Sequence, residues 1–466
     1  MFGRLVQKEL SHYLSDFRFI VVFALCALLS ALSAYVGTQN YIRQLQQYNV
    51  VSEKSRSTIQ ISLEKNRLQD LEWTGYRWNK RPESLSSIVY GLSGTLGQEV
   101  RIQYRRHLQF EASLLATDPI HALLGILDLA FIVKIVLSLC MLLFTYDAIC
   151  GEKETGTLRL YASFPVSRSK LALAKLIGSS IAVLTPFVFS FMLASLVLIL
   201  SSRLDLQGQD WIRIAIIAVL SSLYLAVFAG FGIWASALTH KRTTSFFGLL
   251  GLWTVWIFII PNLAVDIASH LMPVESVYEL DRKYSALREE IRESRQREVD
   301  DYRRLAPTRN LDALSPEEQQ KAQNALRSIE TKWDMLFYRR LNNIRLEWHN
   351  QMRRQQQLTL MLSAISPFSA VSIASMDVAR TSFVQQEKLE DALNTYLLYM
   401  AQFIQKKKSQ ATNQRLLTDF SLFTYQDDDR LEECLYRNTF HIVNLWLLLI
   451  LGFTGAYVTI LRYDVR

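Results

Sequence analysis

Six stretches of the chain run for roughly 20 or more mainly apolar residues, at about 17–36, 121–146, 172–200, 212–238, 244–263 and 440–461, the length an α-helix needs to cross a bilayer. In hydrocarbon every backbone N–H and C=O has to be satisfied internally, so these stretches are predicted as spanning helices. Two long segments, 37–120 and 264–439, separate spans one from two and five from six, and in them polar and apolar positions alternate at helical spacing. The pattern predicts an all-α polytopic membrane protein with six transmembrane helices and two large, mainly helical extramembrane segments.

Local signals divide the chain further. Over residues 1–16, Phe2, Leu5, Val6 and Tyr13 share one side of a helix, interrupted by Glu9, with Arg4 and Lys8 on another side. That predicts a helix lying on the membrane surface. The apolar run after it is too long for a signal peptide and no small-residue cleavage site follows, so it reads as a retained anchor. In the segment 264–439, Ser276 with Glu279 forms a capping-box pair, and Ser315, Pro316 and Glu318 supply an N-cap, an N1 proline and an N3 acid. The second of these helices runs without glycine or proline to about residue 360, which predicts a rod of roughly 65 Å at about 1.5 Å per residue. With the reversing stretch 305–316 between them, the two helices form an antiparallel hairpin. Trp333, Phe337, Leu341, Ile344 and Trp348 make its apolar stripe. Residues 365–383 predict a short helix resting at the membrane interface. The segment 37–120 starts helical and breaks near Gly75. There Trp73, Tyr76 and Trp78 beside Lys80 and Arg81 read either as an aromatic cluster between the two large segments or as a partner surface.

Charge fixes the expected orientation. The loop 239–243 is basic and the loop 201–210 net acidic, and short basic loops stay on the cytoplasmic side. Both termini and the 147–171 connection are then cytoplasmic, and the two large segments extracytoplasmic. The net charge of +8 is what basic loop edges carry; it implies membrane lipids as neighbours and no nucleic acid. The four cysteines offer no disulfide framework, since only Cys434 falls on the outer side.

The search for chemistry returns little. His-Glu-x-x-His, Cys-x-x-Cys and Gly-x-Ser-x-Gly are missing from the sequence, and the seven histidines share no metal-ligand spacing. Gly151 and Gly156 have the spacing of a phosphate-binding loop, but Thr157 and Leu158 stand where lysine and a hydroxyl are required. No metal site, catalytic residue or cofactor is therefore assigned to this chain. Inside the spans, Asp128 and Lys134 are the ionisable candidates, set some 120° apart on their helix at about 100° per residue. Pro186 and Pro261 should kink or end their helices. Ser222, Ala226 and Gly230 form a small-residue face for helix packing, within the chain or at a dimer seam.

The connection between spans two and three reads "GEKETGTLRLYASFPVSRSKLALAK". Thr155 or Thr157 can cap a short helix whose Leu158, Leu160, Tyr161 and Phe164 give an apolar side, ended by Pro165. Its pattern, with Glu152, Gly156, Thr157, Leu158, Pro165, Val166, Ser167, Arg168 and Lys175, resembles the signature of ABC-2 type transporter permeases. The large helical insert between spans five and six is similar to that of one permease subgroup, whereas the long 37–120 segment departs from typical members.

The resemblance implies an ATP-driven exporter's permease subunit in a bacterial inner membrane, with ATP and Mg bound by separate ABC nucleotide-binding subunits. Partners would be those ATPases, a second permease copy or sister permease, and an extracytoplasmic accessory protein. By the same resemblance Glu152, Glu154, Gly156, Thr157, Leu158, Tyr161, Phe164, Pro165 and Arg168 belong to the coupling segment, with Arg168 and Lys175 anchoring it at headgroups. Two alternatives stay open: an ABC mechanotransmitter that moves an outer partner without cargo, and a membrane scaffold or receptor without ATPase.

Overall fold

The computed structural model describes residues 2–64, 74–93, 99–104, 109–110, 128–157, 167–201, 204, 206–305, 315–409, 419–427 and 429–462. Among these, six helical runs are long and apolar enough to cross a membrane: Phe17–Ile61, Leu129–Glu154, Ala172–Leu200, Gly208–Leu238, Arg242–Leu271 and Thr439–Leu461. The protein is an all-α polytopic membrane protein. Its helices are α1 (Phe2–Leu14), α2 (Phe17–Glu64), α3 (Leu129–Phe131), α4 (Ser138–Thr145), α5 (Cys150–Glu154), α6 (Arg168–Leu200), α7 (Gly208–Leu238), α8 (Arg242–Thr254), α9 (Ile260–Leu271), α10 (Val277–Leu305), α11 (Pro316–Ser363), α12 (Pro367–Val378), α13 (Phe383–Ser409), α14 (Leu431–Arg437) and α15 (Thr439–Leu461). The chain divides into two compact units, Met1–Pro261 with Ser363–Met400 and Arg415–Arg466, and Asn262–Leu362 with Ala401–Gln414.

In the first unit, α7 and α15 pack most extensively, and glycine is what lets them approach. A Cβ on Gly230 would lie 3.0 Å from the Phe453 ring, and one on Gly455 would lie 2.5 Å from Trp234. The small-residue face thus serves a contact within the chain at Gly230. Around it Tyr224, Phe228, Phe231 and Trp256 meet edge to face, with the Phe231 and Trp256 centroids 4.7 Å apart. The spans keep apolar side chains such as Leu28, Leu32, Met192, Leu196, Leu447 and Ile450 on the exposed surface, as helices solvated by lipid do.

Neither intramembrane proline ends its helix. α6 runs through Pro186 without a break. Ahead of Pro261 the backbone widens into a π-helical turn over Val255–Ile259, which accommodates the missing N–H and the ring. A second π-helical stretch, Ile132–Leu137, joins α3 to α4.

The stretch from 365 corrects the expectation of an interfacial helix. α12 is there, capped by Ser366, but Ala370, Val371, Ala374 and Val378 are buried. Its small residues let it lie against α7 and α15, and burial follows from that close fit. The fully buried Arg213 of α7 donates to the Val378 carbonyl at 2.9 Å and the Asp429 carbonyl at 2.7 Å. A cation at the last carbonyl of α12 also meets the negative end of that helix.

A feature not anticipated from the sequence is a three-stranded antiparallel sheet in the order β1 (Tyr76–Asn79), β2 (Glu99–Ile102) and β3 (Gln109–Phe110). Gly75 enters it at φ +61, where a Cβ would strike the Ile102 carbonyl at 2.1 Å. Tyr76 and Trp78 join an aromatic cluster with Phe423 of the second large segment. The Phe423 N–H donates to the Tyr76 hydroxyl at 3.1 Å, and Trp78 meets the Phe423 ring at 5.0 Å. Trp73 lies outside the described residues.

The second unit holds the antiparallel helices α10 and α11. Leu287, Ile291 and Phe337 form its small core, with Trp333, Leu341 and Ile344 packed on it. Both capping boxes are formed: Glu279 N–H donates to Ser276 Oγ at 3.2 Å, and Ser315 N–H donates to Glu318 Oε2 at 3.0 Å. Rungs of opposite charge, Glu298 with Lys332 and Glu290 with Arg340, fix the register.

Candidate coupling site

Span two leaves the bundle through α5, a helix of five residues tied to four neighbours. At its start the Ile149 and Cys150 N–H groups donate to the buried Ser236 hydroxyl of α7 at 2.9 and 3.0 Å. Those two donors begin a helix and have no carbonyl of their own to reach. One turn on, the Lys153 ammonium donates to the Ala237 and Thr239 carbonyls, the latter at 3.1 Å. It thereby caps the C-terminal end of α7, where a cation is favoured. Glu154 pairs with Arg242 at the start of α8 at 3.4 Å.

The fourth tie is buried. Glu152 lies 2.6 Å from the Lys175 ammonium of α6, and Glu9 of α1 lies 3.4 Å from the same ammonium. The Lys175 side chain is 5% exposed and those of Glu9 and Glu152 are 13% and 23% exposed. Lys175, expected at the headgroups, is instead enclosed by α1, which the sequence reading placed on the membrane surface. What lets α1 come so close is Gly178, where a Cβ would stand 2.7 Å from Glu9 Cβ. Tyr13 is buried at the other end of α1, and at the foot of α2 Arg18 pairs with Asp147 at 3.1 Å.

α5 ends at Gly156, whose φ of +75 is a left-handed conformation that a side chain disfavours. The Gly156 N–H donates to the Lys153 carbonyl at 3.2 Å, closing the last turn. The Thr155 hydroxyl donates to the Gly151 carbonyl at 3.0 Å, and the Thr157 hydroxyl lies 2.9 Å from that of Thr155. Both threonines therefore finish α5. Leu158, Tyr161, Phe164 and Pro165 lie outside the described residues, as does the helix expected there; the Arg168 side chain is likewise not described.

The remaining candidates sit elsewhere. Asp128 caps the entry to span two, accepting from Phe131 N–H at 2.6 Å and from Tyr90 N–H at 2.8 Å. Lys134 is buried with its ammonium 5.4 Å from the Phe368 ring centroid, and its carbonyl accepts from the Tyr224 hydroxyl at 2.6 Å. Ser222 and Ala226 are half-buried on α7. Among the described residues, no group of histidine, cysteine and acidic side chains could hold a metal ion.

Sequence reasoning missed Glu9. It read the residue as an interruption of an apolar face, yet an acid at that position, with a lysine in the signature after α5 and no other partner assigned, was the available signal.

A family model described as an ABC-2 family transporter protein matches residues 4–465. A probable ABC transporter permease protein, NosY of Stutzerimonas stutzeri, is 27% identical over 135 residues. That alignment covers 29% of this chain and 49% of the relative, so the chain spans about half the length of the curated protein it matches.

Proposed function

The chain belongs to the ABC-2 family of transporter proteins and is a membrane permease subunit, and from that premise we propose that residues 152–164 couple its spans to the ATPase subunits with which such permeases associate. In this reading ATP and Mg are bound by the partner, and the chain works as a homodimer or beside a sister permease in a bacterial inner membrane. Both termini and the 147–171 connection face the cytoplasm, and the transport direction is export. The α10–α11 hairpin and the 37–120 segment face the other side. Glu152, Glu154, Gly156 and Thr157 build the root of the coupling segment; Leu158, Tyr161, Phe164 and Pro165 meet the ATPase; Arg168 returns the chain to span three.

The observation that carries the proposal is the set of ties on α5. A push on a segment held only by two flexible ends would be absorbed locally. Here it reaches α6 and α1 through Glu152, α7 through Ser236 and Lys153, and α8 through Glu154. Three spans and the N-terminal helix move with one short helix.

The test is Leu158→Asp with Phe164→Asp. Two carboxylates on the docking side should abolish co-purification of the ATPase while the permease stays folded in detergent. Undiminished co-purification would remove these residues from the interface.

A further inference from the structure

At the end of α7 remote from α5, the first unit contains a cavity of about 840 Å³, within the range of clefts that enclose a ligand. α2 forms one wall with Tyr48 and Arg56, and all four residues of β1 form another, continued by Lys80 and Arg81. Residues 422–427 and the start of α7 complete it.

Its charge is unbalanced. Arg77 pairs with Glu99, but among the described residues no carboxylate lies at ion-pair distance from Arg56, Lys80, Arg81 or Arg380. Of the acids of the wall, Asp210 accepts from Gln207 N–H at 2.9 Å, and one Asp427 oxygen accepts from Asp429 N–H at 3.1 Å. Burial pushes the Glu83 carboxyl upward against the opposing pull of Lys80 and Arg380.

Its hydrogen bonding is also incomplete. Among the described residues Arg380 Nε, Asn79 Oδ1 and Asp427 Oδ2 are buried with no partner, one donor and two acceptors left dry. Arg380 is held at φ 59, the only described residue other than glycine at positive φ. Among the described residues β1 is paired on one side only, by β2, so its outward N–H and C=O groups are a template for one more strand.

We propose that this cavity receives an extended acidic segment of a second protein, which adds to the free edge of β1. A backbone offers the alternating N–H and C=O groups that the strand edge, Asn79, Asp427 and Arg380 lack. Its carboxylates meet Arg56, Lys80 and Arg81, and its apolar side chains lie against Tyr48, Trp78 and Tyr425. A free anion would match the cations but not the strand edge or the two acceptors.

The purified full-length chain in lipid nanodiscs is titrated against a fluorescent hexapeptide alternating Glu and Val, followed by anisotropy. Binding should weaken at least tenfold in Lys80→Glu with Arg81→Glu, and likewise in Arg56→Ala on the opposite wall, with thermal unfolding of both variants unchanged. A proline at the third position of the peptide, or Gln for each Glu, should weaken it equally. No binding, binding that ignores these changes, or displacement by inorganic phosphate or by tetragalacturonate at the same concentration overturns the proposal. The titration needs no ATPase, so its failure leaves the coupling reading standing.

Discussion

Glu152 and Lys175 stand 2.6 Å apart with the lysine enclosed, and removing either leaves a charge with poorer company. Glu152→Gln keeps the volume and leaves Lys175 to Glu9 at 3.4 Å, a loss of about 1.5–3 kcal/mol for a charged hydrogen bond. A double-mutant cycle with Lys175→Met, read by denaturant unfolding in detergent, should return an interaction of at least about 1 kcal/mol. Strict additivity would show that the pair contributes nothing jointly. At Gly156, with φ +75, valine should cost about 1–2 kcal/mol and uncouple ATP hydrolysis from the spans without loosening α7. The signature residues Glu152, Gly156 and Lys175 were legible because their types and spacing are local. Burial of Lys175 was not, because it depends on a helix about 160 residues earlier whose docking rests on one glycine.

α1 is a helix, as its sequence pattern predicts, and it packs on α6. Its apolar side, broken by Glu9, fits a helix groove as well as a membrane surface, and Gly178 gives it room against α6. Gly178→Leu should undock α1, and amide exchange over residues 2–14 should accelerate while that of α7 stays slow. The sheet escaped notice for a different reason: strands of four residues carry too few alternations to stand out beside long helices. α14, which packs on α12 and α15, carries a cluster with a defined response to acid. Arg437 binds Asp429 with two nitrogens at 3.1 Å each and reaches Asp377 at 3.1 Å, and Lys388 adds 2.6 Å to Asp429. Burial pushes the Asp429 carboxyl up, but its bonds to Arg437 and Lys388 outweigh that and hold it below the usual range. A depressed carboxyl contributes stability above its unfolded pKa and loses it as pH falls through the folded one. The stability contributed by this cluster should thus be flat from pH 8 to 5 and fall only below about 4, and Asp429→Asn should abolish that acid limb.

For the whole molecule, the six spans were plain in the sequence because lipid demands long apolar runs, and the signature drew attention to the residues around α5 before their ties were visible. The internal contact at Gly230 was not plain, since a small-residue face says that something approaches and not what. The sequence also lacks the lysine of a phosphate-binding loop. Purified alone, the chain should release no phosphate from ATP, and hydrolysis should appear only when ATPase subunits are added.

α2 is one unbroken helix of 48 residues, roughly 72 Å at about 1.5 Å per residue, while the hydrocarbon it crosses is only about 30 Å thick. Its foot is pinned beside α5 by Arg18 and Asp147, and its upper part carries Tyr48 and Arg56 on the cavity. Arg56 sits about 57 Å along that axis from Arg18, so a lean of about 10° at the foot sweeps it sideways by roughly 10 Å. A rod of that length turns any small tilt at its foot into a wide displacement at its far end, as an oar does.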